Sequence, residues 1–390
     1  MINDSRAVSA AGAGRMAGLM LALLAAACTP GALRSRHAGR PAAPYGHSRL
    51  ISTVTWDFSA VIPQRKALGS DLWPCAWAID GDLYCAWGDG GGFDGNDDNI
   101  GRVSLGFARV SGSPSTDPAS VRGTNIWGSP PYAEFPADFG GKVGSMIAVK
   151  GVLYANGGFW TASNIKDPVH ASGRGPVSSI AWSNDGAQSW QIASWSSPEP
   201  QGSFLDAGQD SASGSPTYIY LYYLRDGDDR HLFLKRTAPE FLTADPAAAR
   251  RTEYFTDASR RSQAAHWSVR EADAKPVFAD ANHVEGPSVV YDAAIGRYLL
   301  SAGHYASGDD NDSSAGQVGL FEAPNPWGPW ATIGYYEDWG GFKAETTGDF
   351  LSLRIPSKWL SPDGKTLWAV FSGLKSLDSF NLVKGVLSLR

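Results

Sequence analysis

The sequence predicts an all-β chain, a five-bladed β-propeller with long inter-strand loops whose ring is closed by its two terminal strands. Composition, an internal repeat and the character of the two ends predict it. The 390 residues include 45 Gly, 24 Pro and 15 Trp, and only 18% are charged. That is the balance of a turn-rich β protein with few helical heptads. A turn followed by a strand with an aromatic residue recurs as Asp80-Gly-Asp-Leu-Tyr84, Lys150-Gly-Val-Leu-Tyr154, Pro216-Thr-Tyr-Ile-Tyr220, Ile295-Gly-Arg-Tyr298-Leu and Asp363-Gly-Lys-Thr-Leu-Trp368, at spacings of 70, 66, 78 and 70 residues. Five units of that length, each with several short strands, fit propeller blades. The excess over a minimal blade implies long loops, expected at 113–141, 162–176, 199–216, 240–283 and 338–350. Leu50-Ile-Ser-Thr-Val-Thr-Trp56 and Lys384-Gly-Val-Leu-Ser-Leu-Arg390 both read as strands; pairing them in one blade removes an open sheet edge.

Before the body lie two segments that are not fold. Residues 1–28 read as a lipoprotein-type signal peptide: Arg6 and Arg15 precede the apolar run Met16–Ala27, which ends at Cys28. The run is too short for a stable membrane span and suits a secretory segment. Cys28 would be lipidated and become the mature N-terminus, although Leu24 stands four residues before it rather than three. Ordinary cleavage nearby is the alternative. Residues 29–47, rich in Pro, Ala, Gly and Arg, read as a flexible tether, leaving 48–390 for the propeller. The protein is then exported and held to the cell envelope by its lipid, on the periplasmic face of the outer membrane or at the cell surface. A monomer is expected.

Charge excludes one partner class. The chain carries −6, and its first 49 residues hold six Arg against one Asp, so the body from Leu50 onward is −11. An acidic body without a basic stripe argues against nucleic acid.

The segment Gly69–Phe93 holds the densest chemistry. It reads as a hairpin turning at Asp80-Gly81, with Asp71 before its first strand and Asp89 after its second. A hairpin returns its ends to one sheet edge, so two carboxylates meet there, as glycosidic hydrolysis requires. A strict two-residue turn puts Asp71 and Asp89 one position out of register; a three-residue loop bulged at Gly81 makes them face each other, and makes Cys75 face Cys85 as well. A disulfide and two buried thiols are both open readings of that cysteine pair. One acid would donate the proton and the other serve as nucleophile or base, with one pKa raised by its like-charged neighbour. The alternative is that both cap strand ends. Trp73 and Trp87 flank the acids and are the expected substrate contacts, chosen over Trp77, Trp127 and Trp160. Glu285, in Glu285-Gly-Pro before a strand, is a third candidate acid; its Glu-Gly-Pro resembles the acid-bearing motif of other five-bladed glycosidases.

Other motifs read as structure. Ser183-Asn-Asp-Gly-Ala-Gln-Ser-Trp190 resembles the Asp box of sialidase-type propellers, with Ala187 where Gly is usual, and Ser361–Trp368 is a looser relative; Asp185 and Asp363 are therefore turn residues. Asp94, Asp97 and Asp98 offer oxygen ligands that suit a structural calcium, but their spacing is not that of an EF-hand, and a solvated acidic loop is preferred there and at Asp309–Asp312. No metal site and no cofactor is otherwise expected. His170, His266, His283 and His304 are scattered, and no nucleophile elbow is present.

Taken together, Ser70-Asp-Leu-Trp-Pro74, Asp80-Gly-Asp-Leu-Tyr84, Trp87-Gly-Asp-Gly-Gly-Gly-Phe93, Ser104-Leu-Gly-Phe-Ala-Arg109, Phe204-Leu-Asp-Ala-Gly208, Gly296-Arg-Tyr-Leu-Leu300, Glu322–Trp330 and Lys358-Trp-Leu-Ser361 resemble a family of exported bacterial propeller proteins. The family was long labelled a domain of unknown function, and some of its members are endo-D-arabinanases. The resemblance implies a five-bladed propeller with a central groove and an acid pair at Asp71 and Asp89. Leu72 stands where Asn is frequent in that family, and Trp87 where Tyr is. The expected function is a glycoside hydrolase acting on a polysaccharide, an arabinan-like furanoside polymer among the candidates. A non-catalytic glycan-binding or scaffold propeller at the envelope is the alternative.

Overall fold

The computed structural model describes residues 42–61, 63–95, 102–128, 139–161, 165–167, 172–173, 178–193, 202–211, 217–239, 242, 251–259, 264–305, 316–342, 350–373 and 378–390. Among them regular structure is strand throughout, apart from a few single 3-10 turns. An edge strand, β1 (Ile51–Asp57), comes first. A first antiparallel meander follows: β2 (Cys75–Trp77), β3 (Leu83–Trp87), β4 (Gly106–Ser111) and β5 (Arg122–Trp127). The second has β6 (Phe139–Val149) and β7 (Val152–Thr161), then a separate ribbon of β8 (Ile165–Asp167) and β9 (Ser172–Gly173), then β10 (Ser178–Ser183) and β11 (Gln191–Ile192). In the third, β12 (Gly202–Asp206), β13 (Ile219–Arg225), β14 (Asp228–Thr237), β15 (Glu253–Ala258) and β16 (Ala265–Ser268) run in order, with β17 (Pro276–Ala279) also against β14. The fourth is β18 (Glu285–Asp292), β19 (Arg297–Gly303), β20 (Val318–Ala323) and β21 (Ala331–Tyr336). The last is β22 (Phe350–Arg354), β23 (Thr366–Gly373) and β24 (Asn381–Leu389), whose free side takes β1. A short parallel pairing of β12 with β18, Leu205 to Val289 and Asp206 to Val290, fuses the third and fourth meanders into one curled sheet.

The repeat has a structural counterpart. Tyr84, Tyr154, Tyr220, Tyr298 and Trp368 each stand at the second or third position of the second strand of a meander. The turns leading into those strands are tight. Val149 faces Val152 across a two-residue loop in which Lys150 and Gly151 have φ of +52° and +77°; this double left-handed turn matches the twist of the strands it joins.

Strand character follows burial. All five residues of β3 are buried, as suits a strand covered on both faces, whereas β5 at its sheet edge alternates toward solvent. The core divides into clusters between consecutive meanders. Tyr84 and Phe107 pack with Met146 and Leu153; Ile147 and Tyr154 with Phe204 and Leu221; Tyr222 and Leu234 with Leu300 and Phe321; Leu299 and Leu320 with Leu353 and Phe371. A fifth cluster joins the last meander to the first, through Trp73, Leu83 and Trp87 against Trp359, Val370 and Phe380.

Two expectations need correction. The span 240–283 is not a plain loop: it supplies β15, β16 and β17, because Tyr254, Phe255 and Trp267 bury aromatic area against the third sheet. Likewise 113–141 contains β5, 162–176 the ribbon of β8 and β9, and 199–216 the strand β12. The expected tether of residues 29–47 is not free at its described end. The Tyr45 hydroxyl accepts from the Ala279 amide at 2.8 Å, its ring packs on Phe278 and Phe321, and the Gly46 carbonyl accepts from the Thr332 amide. One aromatic residue in an otherwise small and polar segment is enough to pin it. Cys28 and the expected signal segment lie outside the described residues.

Candidate active site

The hairpin of β2 and β3 holds the candidate acids. Cys75 faces Cys85 and the two form a disulfide. The connecting loop runs over residues 79–81, with Gly81 at φ +90° and the Ala78 amide donating to the Asp82 carbonyl, so the three-residue loop is the one adopted. The register does not hold as far as the acids. Asp71 faces Gly88, not Asp89: the Asp71 amide donates to the Gly88 carbonyl at 2.9 Å and the Gly88 amide to the Asp71 carbonyl at 3.0 Å. Leu72 and Trp73, at φ +72° and +49°, bulge the first strand by one residue between the disulfide and the acid. The expectation that the cysteine and acid pairs would face together is therefore corrected.

This one-residue slip shapes the site. Asp71 is 8% exposed and its Oδ1 is buried without a hydrogen-bond partner. Gly88, opposite it, has no side chain; a Cβ there would lie 2.5 Å from Asp71 Oδ1, 2.8 Å from Leu72 Cδ1 and 3.2 Å from Lys142 Nζ. The acid thus occupies the place of its partner's missing side chain, with the Lys142 ammonium beside it. Burial drives the Asp71 pKa well above the ordinary carboxylate value; the Lys142 charge opposes this, Asp378 and Asp89 reinforce it, and Arg102 opposes it.

Asp89 is held differently. Its backbone is left-handed at φ +50°, and its carboxylate takes Lys142 Nζ at 2.5 Å on Oδ1 and Arg102 at 3.3 Å on Oδ2. The side chain remains 28% exposed. One acid is buried with an unpartnered oxygen and the other is ion-paired at the surface, which is how paired carboxylates are given separate proton-donating and anionic roles. Lys142, near the start of β6, together with Arg102 and Asp378, was not singled out in the sequence. Lys142 and Asp378 come from elsewhere in the chain and Arg102 from the connection between β3 and β4; no local motif marks them.

Trp73 and Trp87 are not surface platforms. They are 0% and 1% exposed, donate to the Ser70 and Gly90 carbonyls, and pack with Phe93 and Phe380 between the first and last meanders. Rings without an open face cannot stack on a sugar, and the assignment of these two as substrate contacts is corrected. Trp127 is likewise core, edge-on to Phe107. Glu285 opens β18, half-buried and opposite Gly303, at the end of its strand that corresponds to the position of Asp71 before β2. Below that level, Cys75, Ser145, Ser203, Ser288 and Arg354, one from each meander, line a single cavity.

The remaining candidates are structural in their contacts. Ser183 Oγ donates to Asp185 and accepts from the Ala187 amide at 2.9 Å; Ala187 has φ +66°, the conformation for which Gly is usual at this turn position. Trp190 stacks on Phe107 at 4.2 Å. Asp363 accepts from Ser361 Oγ and the Lys365 amide. His283 lies flat on Tyr305 and His304 on Tyr335, and burial pushes the His304 pKa down to about 4. Asp94 accepts from the Asn125 amide at 3.1 Å; Asp97, Asp98, Asp309–Asp312 and His170 lie outside the described residues. Among the described residues no cluster of His, Cys, Asp and Glu has the geometry of a metal site.

No protein-family model matches the chain, and no curated protein matches it in sequence. Its fold has solved relatives. A Bacteroides ovatus protein proposed to be a hydrolase superposes with a TM-score of 0.52 at 13% identity, over 86% of this chain and 90% of its own. The α-L-arabinofuranosidase of Podospora anserina, solved with cellotriose, gives 0.43 at 10% identity, over 87% and 99%. The GH43_1 enzyme of Xanthomonas citri, solved with xylotriose, gives 0.44 at 14% identity, over 85% and 93%. The chain shares the all-β fold of the Bacteroides ovatus protein.

Proposed function

We propose that the protein is a five-bladed β-propeller glycoside hydrolase, exported and anchored at the cell envelope through Cys28, that cleaves a polysaccharide with Asp71 as general acid and Asp89 as its ionised partner. Support for the closed ring comes from the five meanders, from core clusters between each consecutive pair and between the last and first, and from the cavity to which all five contribute. The observation that carries the activity is the asymmetry of the two carboxylates: Asp71 buried with Oδ1 unpartnered, Asp89 held by Lys142 and Arg102. A protonated acid beside a fixed carboxylate is the requirement for breaking a glycosidic bond. We read Glu285, at the start of β18, as a third acid of the same mouth; its place at the strand end that corresponds to Asp71 supports this. An arabinan-like furanoside polymer is the substrate class we favour, on the resemblance of the hairpin motifs.

The test is reducing-end release by the protein lacking residues 1–28, against a panel of arabinans and envelope glycans, with Asp71→Asn and Asp89→Asn alongside. Release that both variants lose supports the reading. Activity surviving both substitutions overturns the site, and binding without release makes the protein a glycan-binding module.

A further inference from the structure

We propose that Ser372 and Arg354, from the last meander, are positioning residues for Asp71: they clamp the backbone of Leu72 and so hold the acid over Gly88. The inference rests on the reading of Asp71 as the acid. Leu72 has φ +72°, a left-handed conformation that crowds the Cβ of any L residue and that Gly or Asn enters most readily. Within the turn the Trp73 amide donates to the Asp71 carbonyl at 3.0 Å; leucine offers no polar side chain for its own backbone, so the Leu72 amide and carbonyl take their partners from outside the hairpin. The Leu72 amide donates to Ser372 Oγ at 3.1 Å, and the Leu72 carbonyl accepts from Arg354 Nε at 2.8 Å. Both partners are buried, Ser372 at 0% and Arg354 at 7% exposure, and they stand on β23 and β22, a sheet separate from the hairpin's own. The peptide units on either side of the strained residue are thus fixed by a neighbouring sheet.

The consequence for the acid is direct. Asp71 precedes Leu72, and the Leu72 amide belongs to the peptide that Asp71 begins. If Leu72 relaxed to negative φ, the bulge that sets Asp71 opposite Gly88 would be lost, and with it the pocket formed by the bare α-carbon of Gly88, Leu72 Cδ1 and Lys142 Nζ. Strain held at a candidate catalytic position by an external clamp is a recognised form of preorganisation. The charged groups acting on the carboxyl are Lys142, Asp378, Asp89 and Arg102; Ser372 is neutral, so replacing it by alanine removes none of those charges.

The experiment is a double-mutant cycle of Ser372→Ala and Leu72→Gly, read by the titration midpoint of the Asp71 carboxyl in selectively 13C-labelled protein and by kcat for glycan release. Ser372→Ala should move the midpoint down toward the ordinary carboxylate value and lower kcat by about tenfold or more. In the Leu72→Gly background, where glycine accepts the left-handed φ unaided, Ser372→Ala should change neither quantity by more than about twofold. An equal effect in both backgrounds, or an unmoved midpoint in the Leu72 background, overturns the proposal. Arg354→Lys, which keeps the charge and removes the Nε donor, should behave as Ser372→Ala does; an unchanged midpoint would remove Arg354 from the clamp. The titration needs no turnover, so a protein that hydrolyses nothing would sink the enzymatic reading and still decide this one.

Discussion

Asp71 and Gly88 exchange both backbone hydrogen bonds, at 2.9 and 3.0 Å, and the Asp71 carboxyl lies where a side chain on residue 88 would be. The pairing makes a glycine the other half of the acid. It also explains how a carboxyl can be buried in a hairpin so rich in bulky residues: the neighbouring indoles of Trp73 and Trp87 turn into the core, and the one open position belongs to the residue without a side chain.

Gly88→Ala should therefore act on Asp71 and on the Leu72 and Lys142 side chains that share its space. The added methyl would come 2.5 Å from Asp71 Oδ1, and displacing a reacting group by about 1 Å costs on the order of 100-fold in rate. Glycan release should fall by about that factor while the denaturant midpoint stays near the parent value. A fully active alanine variant would mean that the carboxyl is not used where the structure places it.

Asp71→Asn should abolish turnover without costing stability. Burial pushes the pKa of this carboxyl well above its ordinary value, and an amide of the same shape removes an ionisable group from a buried place. Thermal unfolding at pH 7 should occur at or above the parent temperature. Marked destabilisation would show that the aspartate is a structural anion.

Lys142→Met tests the charge between the two acids. The ammonium favours the ionised form of Asp71; without it the Asp71 carboxyl keeps its proton to higher pH. The alkaline limb of the kcat/KM profile should move upward, with lower activity overall because Asp89 loses its 2.5 Å partner. An unmoved limb would separate Lys142 from the acid's titration.

A second buried carboxyl gives a pH-dependent stability. Asp292 ends β18 at 1% exposure, and burial, the largest cause, raises its pKa from 3.8 to about 6. Below about pH 4 it is neutral in both folded and unfolded chains and costs nothing. As pH rises toward 6 the unfolded chain ionises first and stability is lost. Asp292→Asn keeps an oxygen for the Ala294 amide and should stabilise the fold by about 2 kcal/mol at pH 7, allowing for solvent screening. At pH 4 it should have little effect. Equal effects at both values would rule out the ionisation as the cause.

Replacing Cys75 and Cys85 together by alanine should cost about 2–3 kcal/mol, as expected for a crosslink closing a loop of this size. Turnover should fall less than stability does, because Asp71 is anchored by Gly88 and Leu72 rather than by the disulfide. Chemical denaturation and initial rates measured on the same samples would separate the two.

Much of the architecture was legible because it is local. The Gly81 loop, the facing of Cys75 with Cys85 and the aromatic at the start of each second strand follow from turn chemistry and period-two alternation. The terminal strands were recognisable from their pattern alone, and Leu50–Trp56 does lie beside Lys384–Leu389. Composition misled where one residue outweighs its neighbours: Tyr45 ties down a segment that otherwise reads as linker, and Trp267 with Phe255 turns an expected loop into strands.

By itself the sequence determined an all-β chain, its five-fold repeat and a hairpin that brings Asp71 and Asp89 to one sheet edge, because these depend on residues close together along the chain. Only the tertiary structure decided that Trp73 and Trp87 face inward, that Asp71 sits over Gly88, and that Lys142, Arg102, Arg354, Ser372 and Asp378 surround the two acids. Apart from Arg102, which lies between β3 and β4 of the same meander, those residues come from other sheets or distant loops, and their meeting depends on how the meanders pack. Burial and charge neighbours, which leave Asp71 buried with a raised pKa and Asp89 ion-paired to Lys142 and Arg102, exist only once that packing has formed.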